Sequence, residues 1–166
     1  MLKMNHISKS FPGVKALDDI SISVDRGEIH ALVGENGAGK STLMKILSGA
    51  YSLDAGEIIL NDERIEDTTP AKMIEKGIAV IYQELMLVPD LTVAENIFLD
   101  TLNRERKLIR SRQMNQEAQE YLDNIGFSAI RASAEVSTLS IAQQQVVEIC
   151  KALSRKSSIL ILDEPT

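Results

Sequence analysis

The sequence is poor in the residues that mark several functional classes. A single cysteine, Cys150, excludes an intramolecular disulfide and any cysteine-built metal site, and it points to a reducing compartment. There is no tryptophan, and aromatic residues make up only 4%, too few for the platforms on which single-stranded nucleic acids stack. No uninterrupted apolar run approaches the roughly 18 residues that a membrane helix needs. The opening MLKMNHISKSF lacks the apolar stretch of a secretory leader. A cytoplasmic protein is therefore expected, unless a partner holds it at a membrane. Basic residues are outnumbered, 18 against 24 acidic ones, and the net charge of −6 argues against a nucleic-acid-binding surface. What is present is globular: 166 residues, 44% apolar and 25% charged, enough for one domain with a substantial core.

The chain is organised around Gly34-Glu-Asn-Gly-Ala-Gly-Lys-Ser41, followed by Thr42. The spacing G-x-x-x-x-G-K-[ST] is that of a phosphate-binding loop. Glu28 to Val33 reads as a short apolar strand before it, and Thr42 to Ser48 as a helix ended by Gly49. Strand, glycine loop and helix in that order is the setting the motif requires. Gly34, Gly37 and Gly39 are expected to take backbone angles other residues avoid, with Asn36 and Ala38 between them, so that successive amides face phosphate oxygens. The following helix adds the positive end of its dipole. Lys40 would reach the β- and γ-phosphates, and the Ser41 hydroxyl would ligate Mg²⁺. A glycine-rich turn before a helix is the plain alternative. With glycine at about 7% of residues, the fixed positions coincide by chance in roughly one such chain in a couple of hundred.

Before the loop, Phe11-Pro12-Gly13 and Asp25-Arg26-Gly27 read as turns, and Ile20 to Val24 alternates as a half-buried strand does. After it, Gly56 to Leu60 reads as a strand entering a hairpin turn at Asn61-Asp62. A short helix starts at Pro70 and stops at Gly77. Gly77 to Tyr82 is a continuous apolar run, as in a strand buried on both faces, with Gln83 at its carboxyl end. From Glu84 to Ser154 the signals are helical. Thr92 with Glu95, and Ser140 with Gln143, form capping boxes. Gln113 to Ile125 carries Met114, Ala118, Tyr121, Leu122 and Ile125 on one face, and Gly126 stops it. The final run, Ser158 to Asp163, reads as a buried strand ending on two acids.

Asp163, at that strand end, would hold Mg²⁺ directly or through water, and Glu164 is placed to deprotonate an attacking water. Solvated acids at the end of a buried strand are the alternative reading. GENGAGKSTL, Gln83 after an apolar strand, Leu139-Ser-Ile-Ala-Gln143 and ILILDEPT, in that order, resemble the ATP-binding subunit of an ABC transporter over the whole chain. FPGVKAL, IYQELMLVPDLTVAENIFL and LSIAQQQVVEICKALS look most like the carbohydrate importers of the ribose, galactose, xylose and arabinose type. There the subunit usually carries two ATP-binding halves, and this sequence resembles the amino-terminal one.

That resemblance implies an α/β P-loop NTPase fold: a RecA-like core with an antiparallel β subdomain and a helical insertion. Residues 1–83 would form the nucleotide-binding core, 84–149 the helical signature subdomain and 150–166 the return to the core. It implies that Phe11 stacks on adenine, a turn-anchoring core role being the alternative. It implies that Gln83 contacts Mg²⁺ and water and couples the site to the permease. Leu139, Ser140, Ile141, Ala142 and Gln143 match the signature loop that binds the γ-phosphate of ATP held by the opposite subunit. Ile141 and Ala142 stand where that loop usually has glycines, which narrows access to its backbone. By themselves Ser140 and Gln143 are a capping box, and a capped helix start is itself an anion site.

The implied cofactors are ATP and Mg²⁺. The implied partners are a second nucleotide-binding domain, membrane permease subunits and, indirectly, an extracytoplasmic sugar-binding protein, with the chain peripheral on the inner face of the membrane. A non-transport ABC-type ATPase and a nucleotide-binding fragment without hydrolysis are the rivals. His6 and His30 precede the loop and cannot be the family's switch histidine. His30 reads as a core or half-exposed residue, and Cys150 as a core one. Arg104, Arg106, Lys107, Arg110 and Arg112 read as a solvated connection or a contact with anionic lipid, and Met86 as core or as part of a permease groove. The family pattern continues past Thr166 with further strands, one of them central in the sheet. Ile29, Leu32, Ile159 and Ile161 are therefore expected to find cover by strand exchange, from a neighbouring chain, or by rearranged packing.

Overall fold

The computed structural model describes residues 1–82, 84–105 and 111–162. These form two compact units, Met1–Ile78 and Ala79–Thr166.

The first unit is built on an antiparallel sheet. Strands β1 (Leu2–Phe11) and β2 (Val14–Val24) meet through Pro12-Gly13, where Gly13 takes φ 80° in the left-handed region. Strand β3 (Ala55–Leu60) pairs with the other edge of β1, and β4 (Glu63–Ile65) closes the order β2-β1-β3-β4. Asn61 and Asp62, at φ 51° and 65°, make the two-residue turn between β3 and β4, the mirror-image type whose twist suits a hairpin. The β1–β2 register shifts between Met4 and Ile7, and His6 there has φ 54°. This bulge breaks the alternation of faces, which is why both Met4 and Ile7 are fully buried although they are three positions apart and a regular strand would put them on opposite faces.

Helix α1 (Lys40–Leu47) turns Leu43, Ile46 and Leu47 inward at helical spacing and lies against β2. Helix α2 (Pro70–Glu75) has proline at its first turn and ends on Gly77 at φ 83°, as proline's missing N–H and glycine's freedom predict.

The expected strand from Glu28 to Val33 is not formed. It pairs with none of the described strands, and Ile29 and Val33 are 98% and 91% exposed. A strand is held by ladder partners, and an apolar run without them gains nothing from the extended form.

Strand β5 (Ile78–Ile81), which opens on the last residue of the first unit, and β6 (Ile159–Leu162) make a two-stranded sheet. Burial on both faces was the expectation for the first, and a buried strand for the second. In β5 Ile78 and Ala79 are buried while Val80 and Ile81 are half-buried; in β6 Ile161 is buried, Ile159 is half-buried, and Leu160 and Leu162 are exposed. A pair of strands lacks the flanking layers that would cover both sides.

Three helices, α3 (Val93–Glu105), α4 (Ser111–Asn124) and α5 (Ile141–Ser154), pack around a core. Val93, Ile97, Ala118, Leu122, Val147 and Cys150 belong to that core, and Met114, Tyr121 and Ile125 lean on it. The amphipathic face expected for α4 is the buried one. Asn96 is fully buried and ties the entry to α3: its Nδ2 donates to the carbonyls of Val88, Leu91 and Thr92, and its Oδ1 accepts from Val88 N at 2.7 Å. No helix among the described residues is long and apolar enough to cross a membrane.

Candidate functional site

The glycine loop runs into α1 without a side-chain cap. Gly39 is the N-cap residue, at φ 87°. The first helical bond runs from Leu43 N to Gly39 O at 2.9 Å, so the amides of Lys40, Ser41 and Thr42 have no intrahelical acceptor. Such a bare first turn presents N–H groups and the positive end of the helix dipole in one direction. Upstream, Ala38 N donates to Glu35 O at 3.1 Å, closing a tight turn through Gly37 at φ 86°.

The three glycines have different reasons to be glycine. Gly37 needs the left-handed backbone but has open space around it. Gly39 needs both the backbone and the room, since a Cβ there would sit 2.5 Å from Ala16 O and 2.7 Å from Leu17 Cδ2. Gly34 corrects the expectation of unusual angles: it is not among the positive-φ glycines. Its constraint is space, because a Cβ would meet Ala38 Cβ at 3.3 Å.

Lys40 folds over the loop. Its ammonium donates to Gly34 O at 2.7 Å and to Glu35 O at 2.9 Å. The cation is thereby held above the turn, close to the helix end, with Asn36, Ala38 and Ser41 exposed and Thr42 half-buried beside it. A polyanion entering this loop would meet one flexible cation, a run of amides without intrahelical acceptors and two hydroxyls. That donor set fits phosphate oxygens, and the Ser41 hydroxyl is of the kind that would hold a hard cation.

Phe11, at the end of β1, is half-buried and meets the Tyr51 ring at 5.3 Å between centroids and 67° between planes. Both belong to the same unit as the loop. His30 is not a core residue: it is exposed beside Glu28, whose carboxyl is held below the usual range first by the Asp25 amide and then by His30.

In the second unit, Ser140 caps α5 in the expected box. Gln143 N donates to Ser140 Oγ at 3.4 Å, and Ser140 N donates to Gln143 Oε1 at 3.0 Å. Leu139 is half-buried and its carbonyl accepts from Gln144 Nε2 at 3.1 Å. Ile141 is 69% exposed and Ala142 is exposed, so two side chains stand out at the helix entrance. Cys150 is fully buried, and burial pushes its thiol up to about 11; it is a packing residue. Met86 is exposed, so the core alternative for it does not hold. Gln83, Asp163 and Glu164 lie outside the described residues, as do Arg106, Lys107 and Arg110 and the side chain of Arg104. No cluster of metal-ligating side chains occurs among the described residues.

Sequence reasoning gives no role to Tyr51, Glu148 or Lys151. The first follows Gly49 in a turn, and the other two look like solvated positions of an amphipathic helix.

Residues 17–166 match the family model described as ABC transporter, and the chain belongs to that family. Its fold is that of the ATP-binding cassette, a P-loop NTPase. A nucleotide-free cassette from an ABC transporter superposes with a TM-score of 0.82 at 28% identity, covering 99% of this chain and 69% of that one. A dimeric cassette bound to ADP and Pi gives 0.81 at 25% identity, with 100% and 75% covered. Among relatives, an arabinose import ATP-binding protein of Burkholderia lata is 49% identical over 165 residues, 99% of this chain and 33% of that protein. A ribose import ATP-binding protein of Burkholderia cenocepacia is 52% identical over 171 residues, 100% of this chain and 33% of that protein. The chain thus spans about a third of the length of the curated relatives it matches.

Proposed function

We propose that this chain is the nucleotide-binding part of an ATPase that powers carbohydrate import. The observation that carries the reading is the uncapped start of α1 with Lys40 folded over the loop. Identity of about half to arabinose and ribose import proteins supports the sugar assignment. Phosphates would exchange for the carbonyls that now hold Lys40, so the ammonium moves to a stronger, charge-assisted partner. The amides of Lys40, Ser41 and Thr42 would take the oxygens that point along the helix axis, with Gly37 and Gly39 keeping the backbone clear of side chains. Mg²⁺, when bound, offsets charge on the β- and γ-phosphates. Ser41, Asp163 and Gln83 are the residues proposed to hold it. Glu164 is the proposed base for the attacking water, and Phe11 the proposed platform for adenine.

Residues 1–83 and 150–166 would then serve as the catalytic core and 84–149 as the signature subdomain. The partners would be a second nucleotide-binding domain, whose ATP Ser140 and the start of α5 would face, and permease subunits fed by an extracytoplasmic sugar-binding protein. The protein would sit on the cytoplasmic face of the membrane. A second reading, nucleotide binding without turnover, draws on the exposed Ile141 at the signature position.

Equilibrium binding of Mg-ATP to the full chain tests the first step. Lys40→Ala is expected to weaken it roughly 10- to 100-fold, and unchanged affinity would sink the proposal. Hydrolysis that is lost in Glu164→Gln while binding persists supports the ATPase; no hydrolysis in the wild-type protein supports the second reading.

A further inference from the structure

Phe11 is one end of a continuous chain of contacts that leads back to the phosphate-loop helix. Tyr51 N donates to Lys45 O at 3.0 Å, which fastens the turn after α1 to the helix itself. The Lys45 ammonium lies 5.4 Å from the centre of the Tyr51 ring, and the Tyr51 ring meets Phe11 edge-on at 5.3 Å. On the far side, the Lys9 ammonium stands 5.7 Å from the centre of the Phe11 ring and donates to Asp54 Oδ1 at 2.7 Å. Asp54 Oδ2 accepts from Ser10 N at 2.7 Å, and Asp54 N donates to Ser8 O at 3.0 Å. The segment between α1 and β3 is therefore stitched to the helix at Tyr51 and to β1 at Asp54. Phe11 lies between the two stitches.

Such stitching has a physical use. A nucleotide places its base at a set distance from its phosphates, so a ring that stacks on the base must keep a set offset from the loop that holds the phosphates. Phe11 sits at the end of a strand beside a two-residue turn, where contacts beyond the Lys9 ammonium of β1 help to fix its χ angles. An edge-to-face aromatic partner does so, at a gain beyond mere burial, and this partner is itself anchored on α1.

We propose that Tyr51 is a positioning residue for the nucleotide base, holding the Phe11 ring in register with the phosphate loop through Lys45. This rests on the reading that Phe11 receives the base. Tyr51 need not touch the nucleotide. Its loss is expected to weaken interactions that depend on the base while sparing those that depend on the phosphates.

The test compares the affinity of the full chain for Mg-ATP with its affinity for Mg-tripolyphosphate, which has neither base nor ribose. In Tyr51→Leu the ATP affinity is expected to fall roughly three- to tenfold, with tripolyphosphate affinity within about twofold of wild type. Tyr51→Phe, which keeps the ring, is expected to match wild type on both. An equal loss for both ligands in Tyr51→Leu would mean that Tyr51 merely supports α1, and would overturn the proposal. Phe11→Ala separates the two layers. If Phe11→Ala weakens ATP alone and Tyr51→Leu does not, the positioning role fails while base stacking stands. If Phe11→Ala leaves the ATP-to-tripolyphosphate ratio unchanged, the stacking reading fails and the role of Tyr51 with it.

Discussion

Glu148 and Lys151, one turn apart on α5, hold the two polar backbone groups of a single residue. Met86 N donates to Glu148 Oε1 at 2.8 Å, and Lys151 Nζ donates to Met86 O at 2.9 Å. The two side chains are 3.9 Å from each other, and the residues are only 8% and 7% exposed. Each charge is thus compensated by the other and by one peptide dipole. Glu148→Leu or Lys151→Met alone should cost about 2–3 kcal/mol, because each leaves an under-compensated buried ion. The double variant should cost less than the sum by about 0.5–3 kcal/mol, as expected for groups in direct contact. Urea unfolding of the four proteins measures this, and additivity would show that the two side chains act separately.

Gly37 and Gly39 should respond differently to a methyl group. Gly37→Ala suffers only the left-handed backbone, with no atom within 4 Å of the new Cβ, and should cost about 1–2 kcal/mol. Gly39→Ala adds an overlap with Ala16 O at 2.5 Å, which raises the expected loss to about 2–5 kcal/mol. Thermal unfolding ranks the two. Equal losses would mean that β2 yields at Ala16.

Glu95 gives the fold an acid-sensitive cap. Its Oε2 accepts from Thr92 N at 2.8 Å and from Thr92 Oγ1 at 2.7 Å, while Glu95 N donates back to Thr92 Oγ1 at 3.2 Å. The Thr92 amide, and then its hydroxyl, hold this carboxyl below the ordinary value of 4.5. The folded group therefore titrates below the unfolded one, so its contribution is complete above pH 4.5 and is lost as the pH falls through the folded value. Glu95→Gln should be less stable than wild type by about 1 kcal/mol at neutral pH. The gap should narrow steadily on acidification below pH 4.5 in paired denaturation curves. A gap independent of pH would assign the effect to packing instead of charge.

Ile29 tests the unpaired segment before the loop. At 98% exposed, Ile29→Lys should leave stability within about 0.5 kcal/mol of wild type. It should also raise the concentration at which the protein associates, since a charge blunts an open apolar stretch. Light scattering and thermal unfolding are the two readouts. A loss of about 2 kcal/mol or more would show that Ile29 is covered in solution by a second chain.

Local chemistry was largely legible in the sequence. The caps at Thr92 and Ser140, the turns at Gly13 and Asn61-Asp62, the stops at Gly49, Gly77 and Gly126, and the buried face of α4 all follow from short-range rules, and all occur. In the glycine loop, the left-handed backbone at Gly37 and Gly39 and the helix that follows were legible for the same reason, whereas the space limit at Gly34 was not. What escaped are contacts between distant positions. Asn96, Glu148 and Lys151 are polar residues in helices, and no periodicity says that each reaches a loop backbone instead of solvent. The apolar run from Glu28 to Val33 misled for the complementary reason: strand propensity describes the residue, whereas a strand is a property of the pair.

The two-unit division has a spectroscopic consequence. The protein has no tryptophan and three tyrosines, of which Tyr51 falls in Met1–Ile78 while Tyr82 and Tyr121 fall in Ala79–Thr166. All tyrosine emission from the first unit therefore comes from one ring, beside Phe11 and beneath the Lys45 ammonium. Subtracting the signal of Tyr51→Phe from that of wild type isolates it. The difference reports the melting of the nucleotide-loop unit separately from that of the helical unit, without any label being attached.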